Sequence, residues 1–130
     1  MSSKKLFQNY KLKPAFTDKR GDIFDIVEEP VSHVGFITFK KGALRGNHYH
    51  KKSTQYSYIL KGTVKFVVSD IHGKNKKTFI IKEGTLSRIP PKMIHAYKAL
   101  TTASMLDITT LVRGVAERYE NDTVRVKILE

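Results

Sequence analysis

The sequence contains no cysteine, which excludes a disulfide framework, thiolate metal ligands and cysteine nucleophiles and agrees with a reducing compartment. Any catalysis must therefore use other side chains. Long apolar runs are missing too: stretches such as Ile59-Leu60 and Val67-Val68 fall far short of the roughly 20 residues that a membrane-spanning helix needs. The N-terminus, Met1-Ser-Ser-Lys-Lys-Leu-Phe, carries charge but no apolar core of signal-peptide length before Lys11, so the reading is a cytoplasmic protein without a membrane span. Acidic residues are scarce, with 12 Asp and Glu against 24 Lys and Arg and a net charge of +12. Such a field favours a small anionic partner. Nucleic acid is not the one expected, because no basic helix, zinc finger or aromatic RNA-binding signature accompanies the charge.

What is present is the composition of one globular domain: 130 residues, 40% hydrophobic and 28% charged, enough for one hydrophobic core but not two. β-branched, aromatic and polar residues alternate along the chain, and no stretch of a dozen residues carries a helical stripe. The alternation predicts strands at Ile23–Val27, Val34–Phe39, Gln55–Lys61, Thr63–Val68, Lys77–Lys82, Thr85–Ile89, His95–Leu100, Ser104–Leu111 and Thr123–Leu129. Turn residues punctuate them at Gly21, Gly42, Gly46, Gly62, His72-Gly73-Lys74-Asn75, Glu83-Gly84 and Pro90-Pro91. Many short strands at intervals of about 8–12 residues predict an all-β sandwich or barrel. Residues 1–20, with Lys4, Lys5, Lys11, Lys13, Lys19 and Arg20, read as a basic, loosely attached N-terminal arm. Residues 21–130 read as the barrel with its C-terminal strand, and Arg113–Asp122 as a short helix or long loop.

The most informative stretch runs from Gly42 to Gly62. His48 and His50 are two apart, so in an extended segment both rings project from one face and suit a shared ligand. Gln55 is at odd spacing from His50, but a turn through Lys51 to Thr54 can return it to the same interior. A third histidine, His95, follows Gly84 and Pro90-Pro91.

Gly42, His48, His50 and Gly62 follow the spacing of the first motif of the cupin family, with Gln55 where that family has glutamate. Gly84, Pro90 and His95 follow the second motif, with Lys92 in place of its glycine and Ala99 in place of its closing asparagine. The resemblance implies a double-stranded β-helix, a jelly-roll barrel in a single domain. It also implies that the family's metal ligands fall on His48, His50 and His95, with Gln55 as the fourth. Three imidazoles suit Zn, Ni, Fe, Mn or Cu, and no organic cofactor is expected. Because His and Gln are neutral, such a set favours an anionic ligand or hydroxide on the ion.

Within the family, Leu44-Arg45-Gly46-Asn47-His48-Tyr49 resembles the segment that carries the catalytic histidine of nucleotide-sugar 3,5-epimerases. His48-Tyr49-His50-Lys51-Lys52-x-x-Gln55 is similar to nucleotide-sugar 3,4-ketoisomerases, and Gly46-Asn47-His48-Tyr49-His50 to metal-bearing cupin domains of capsular-sugar enzymes. Asp18-Lys-Arg20-Gly21-Asp22-Ile-Phe24 resembles the opening of the same sugar enzymes, and Ile89-Pro90-Pro91 through His95-Ala-Tyr97 fits their second half. These likenesses imply removal of a proton next to the ketone of a nucleotide-linked sugar, which requires a base near neutrality and stabilisation of an enediolate. In that chemistry His48 or His50 shuttles the proton, Arg45 steadies negative charge, and one of Tyr97, Tyr49, Tyr56 and Tyr58 donates a proton or stacks on a base. Lys51 meets the diphosphate, and Tyr49 and Tyr58 contact the substrate.

The chain shows no clear equivalent of the epimerases' later acid residue. A histidine that holds a metal also loses its freedom as a base. Two other readings stand beside the isomerase: a metal-dependent cupin acting on another small molecule, as in dioxygenase chemistry, and a noncatalytic ligand-binding or sensing cupin. Cupin resemblance further implies a homodimer, formed by packing or exchanging strands.

Overall fold

Val64, Phe66 and Val68 alternate with Lys65 and Val67, and the first three enter the core while Val67 packs on the opposite face. This period of two, repeated along the chain, builds the molecule. The computed structural model describes residues 6–111 and 122–130. Most of the expected helix or loop at 113–122 lies outside them, as do residues 1–5 of the arm.

The strands are β1 (Gln8–Lys11), β2 (Phe16–Asp18), β3 (Gly21–Ile23), β4 (His33–Phe39), β5 (Leu44–His50) and β6 (Gln55–Lys61). They continue as β7 (Thr63–Ser69), β8 (Lys77–Lys82), β9 (Thr85–Ile89), β10 (Ile94–Ala99), β11 (Ala103–Thr109) and β12 (Thr123–Arg125). Two five-stranded antiparallel sheets, β1-β9-β6-β11-β4 and β12-β5-β10-β7-β8, face each other, and β2 and β3 form a separate hairpin. This is the expected all-β jelly roll. Among the described residues no helix is long and apolar enough to cross a membrane.

Between the sheets lie Phe39, Ile59, Val64, Phe66, Val68, Ile81, Ile89 and Met105, each large side chain contributing about 1.5–3 kcal/mol by its removal from water. Two smaller clusters sit on the outer faces. Tyr56, Leu86 and Ile108 on the first sheet are covered by Ile26, Val27 and Val31. Val67 and Ala96 on the second are covered by Ile128 and Leu129.

Four expectations are corrected. Of Ile23–Val27 only Ile23 lies in a strand, because Ile26 and Val27 pack flat on the outer cluster instead of pairing. The ladder of Thr123–Leu129 stops at Arg125, since the backbone of Ile128 and Leu129 bonds to the Asn47 side chain. The arm is stapled rather than loose: Gln8–Lys11 pairs with β9, and the Phe7 ring lies 5.8 Å from Phe79 and 6.1 Å from Phe66. Leu44–His50 is a full strand that the glycines at 42 and 46 had hidden.

Candidate functional site

The site begins with an irregularity in β5. Against β10, His48 pairs with His95 and Gly46 with Ala96, so Asn47 is an extra residue absorbed in a bulge. Gly46 (φ 90°) and Asn47 (φ 57°) both take left-handed backbone, which glycine adopts without cost and asparagine tolerates better than most residues. A Cβ on Gly46 would lie 2.8 Å from the His95 carbonyl oxygen, so the bulge needs glycine for space as well. One consequence is a change of parity: odd-numbered Arg45 and even-numbered His48 and His50 face the same interior.

There the rings of His48, His50 and His95 converge, with centroids 4.7–5.4 Å apart and candidate donor atoms within 4.8 Å of one another. His95 is 1% exposed. Its Nδ1 donates to the Met93 carbonyl at 3.2 Å, and its buried Nε2 has no hydrogen-bond partner. Burial, reinforced by the nearby His48 and His50, holds its pKa well below the usual histidine range, so this ring is neutral.

His50, 2% exposed, places Nε2 3.0 Å from Gln55 Oε1. A carbonyl oxygen accepts, so Nε2 carries the ring proton. Its Nδ1 faces Thr123 Oγ1 at 3.4 Å and Asp122 Oδ2 at 3.6 Å. Asp122 is itself buried and fixed: the backbone N–H groups of Lys52 and Ser53 donate to its carboxylate at 2.7 and 3.2 Å. His48 stands in a third environment, with Nδ1 3.1 Å from Arg125 Nη1. A guanidinium only donates, so His48 Nδ1 accepts and the neutral ring holds its proton on Nε2.

His48 and Gln55 line a cavity of about 400 Å³ together with Arg45, Tyr97, Asp107 and Arg125, with Ile37 and Met105 as apolar wall, and His50 and His95 lie buried behind them. The volume falls within the range of small-molecule sites. Tyr97 is held rigidly, stacked on Phe66 at 4.9 Å, with its hydroxyl bonded to Ser57 and 3.4 Å from Gln55 Nε2. Arg45 donates to the Thr38 carbonyl at 3.0 Å and lies over the Phe39 ring. Two guanidiniums on one cavity form a setting for an anionic ligand.

His48, His50, His95, Gln55, Arg45 and Tyr97 are thus brought together. Lys51 is on an exposed turn; Tyr49, between two inward histidines, faces away; and Tyr58 packs beside the outer apolar cluster. Three neighbours of the site were not anticipated. Asp122 and Arg125 arrive from more than 70 residues away along the chain, as β12 pairs with β5. Asp122, which no local pattern in the sequence marked, is placed beside His50. Asp107 did leave a signal: it occupies a core-facing position between Met105 and Thr109, all three buried.

By distance the three histidines can hold a divalent ion. By hydrogen-bond direction, His95 Nε2 presents a buried lone pair with no partner, while His50 Nε2 and Gln55 Oε1 bind each other and His48 Nδ1 is bonded to a cation. A metal would have to displace both contacts, so the set fits an ion in spacing but not in proton arrangement.

The family model described as Cupin domain matches residues 35–109. No curated protein matches the chain. Among solved structures, a 3,4-ketoisomerase from Helicobacter canadensis shares 20% identity at a TM-score of 0.75, covering 92% of this chain and 90% of that one. A sugar 3,4-ketoisomerase from Thermoanaerobacterium thermosaccharolyticum in complex with TDP shares 23% at 0.74, covering 92% and 87%. A dTDP-6-deoxy-D-glucose-3,5-epimerase from Legionella pneumophila in complex with dTDP-4-keto-L-rhamnose shares 19% at 0.74, covering 95% and 73%. At these identities the likeness is one of fold.

Proposed function

Because this chain belongs to the cupin family, we propose that it is an isomerase- or epimerase-type enzyme that moves a proton beside the ketone of a nucleotide-linked sugar. The observation that carries the reading is the surroundings of His50. An imidazolium there would direct both N–H groups at oxygen acceptors, Gln55 Oε1 at 3.0 Å and the Asp122 carboxylate at 3.6 Å. His48 lies against a guanidinium and His95 is deeply buried. His50 is thus the ring suited to take the proton from carbon: with its resting proton shifted to Nδ1 beside Asp122 and the Gln55 amide turned aside, Nε2 offers the lone pair that accepts it, and Asp122 stabilises the imidazolium formed.

When the C–H bond breaks, its electron pair moves onto the ketone oxygen. His48, with its proton on Nε2, donates to that oxygen, and Arg45 and Arg125 offset its negative charge. The two guanidiniums also suit the diphosphate of the nucleotide. The similar structures bound to TDP and to dTDP-4-keto-L-rhamnose support this substrate class.

The test is solvent exchange. Incubated in D2O with a nucleotide-linked 4-keto-6-deoxy sugar, the protein should place deuterium at a ring carbon, and His50→Gln should slow this by about 10²–10⁴-fold. Binding of several such sugars with neither exchange nor turnover would overturn the reading. A second reading, a divalent ion on His48, His50 and His95, draws on the unpartnered Nε2 of His95. Elemental analysis of purified protein separates the two, with near one ion per chain favouring the second.

A further inference from the structure

Asp122, Thr123 and Arg125 reach the histidines because one short segment lies beside β5, and the structure shows what fastens it. Asn47 Nδ2 donates to the Leu129 carbonyl at 2.9 Å, and Asn47 Oδ1 accepts from the N–H groups of Ile128 and Leu129 at 2.9 and 3.0 Å. The Asn47 backbone carbonyl accepts from Val126 N at 2.9 Å. One residue therefore makes four hydrogen bonds with Val126, Ile128 and Leu129, accepting three and donating one. Its ability to do so comes from the bulge, which leaves Asn47 outside the β5–β10 register while its neighbour His48 faces in. Leu129 then seats against Val67 and Ala96.

We propose that Asn47 is a positioning residue: by clamping residues 126–129 on the outside of the sheet, it holds Asp122 on His50 and Arg125 on His48 inside. The proposal rests on the proton-transfer reading for its effect on rate but not for its effect on structure. Ladder pairing of β12 with β5 covers only Thr123, Val124 and Arg125. So short a pairing at a sheet edge is marginal without a further anchor. Asn47 supplies it one residue beyond His48, the last β5 partner of β12, and so couples an outer-face contact to the two rings that Asp122 and Arg125 touch.

The decisive variant is Asn47→Gly, which keeps the left-handed backbone and removes the side-chain clamp alone. Three readouts are taken on the full chain: amide hydrogen exchange, the ring-nitrogen resonances of His48 and His50, and deuterium wash-in to the keto-sugar nucleotide. Amides of Thr123–Leu129 should lose protection while those of β6 and β7 keep theirs, showing an intact barrel. Both sets of imidazole resonances should shift. Asn47→Asp, which retains the acceptor for Ile128 and Leu129, should restore part of the protection. Wash-in should fall about 10- to 100-fold, as expected for misplaced catalytic groups. Added to an Asp122→Asn, Arg125→Ala background, Asn47→Gly should cost less than about twofold more, because it acts through those residues. Unchanged tail protection and resonances, or penalties that multiply in the combined variant, would overturn the role of Asn47. If wild-type protein gives no wash-in, the enzyme reading falls, and exchange with the imidazole resonances still decides the clamp.

Discussion

At the scale of single residues, the three histidines are chemically unequal despite lying within one cluster. Burial keeps His95 neutral, its pKa well below the usual range, whereas in the unfolded chain it titrates at the ordinary histidine value of about 6.5. Above that value the ring is neutral in both states. As pH falls below it the unfolded chain gains a proton that the folded chain refuses, so His95 lowers stability on the acid side until its own folded pKa is reached. Urea unfolding between pH 7.5 and 5.5 should therefore lose up to about 1.4 kcal/mol per pH unit from this ring, and His95→Gln should remove that component of the slope. Arg125 governs the other choice. Removing the cation from His48 leaves its Nδ1 without that donor and takes away a charge that repels metal ions. Arg125→Ala should bind Zn(II) or Ni(II) at least about tenfold more tightly, as read by competition with a chelating dye; unchanged affinity would mean that His48 is not a ligand. His48, His50 and His95 were legible because two share a face at a spacing of two and the third falls at the family's spacing. Asp122 and Arg125 were not: no local pattern marks a contact made across more than 70 residues.

Elements were legible wherever alternation met an apolar core. Gln55–Lys61, Lys77–Lys82 and Thr85–Ile89 have the bounds that their alternation predicts. β1, β2 and β5 escaped because lysine, glycine and exposed positions dilute their pattern, and their pairing is decided by neighbours distant in sequence. Glycine between β6 and β7 shows how strictly one turn is specified. Gly62 has φ 89°, and a Cβ there would lie 2.2 Å from the Thr102 carbonyl oxygen and 2.8 Å from Ala103 Cα. These are backbone atoms that cannot step aside. Gly62→Ala should cost at least about 2 kcal/mol in urea unfolding. Gly42→Ala, with a similar φ but open space around its Cβ, should cost only about 1 kcal/mol.

At the scale of the whole molecule, the outer face of the first sheet is unevenly covered. Ile26, Val27 and Val31 shield its centre, but Val34 and Phe36 on edge strand β4 remain 61% and 64% exposed. An exposed apolar edge invites pairing with another chain, and the expected homodimer would cover this one. Sedimentation velocity at micromolar concentration should show a dimer that Phe36→Lys converts to monomer without loss of thermal stability; an unchanged dimer would place the interface elsewhere. Order along the chain has another effect. The strands from β4 to β11 span residues 33–109, whereas Asp122 and Arg125 follow them. During synthesis the ribosome releases the barrel's own strands first, with all three histidines already among them. A nascent chain therefore presents the barrel's strands and the three clustered histidines before Asp122 and Arg125, so the polar surroundings of His50 and His48 are completed later than the rings themselves.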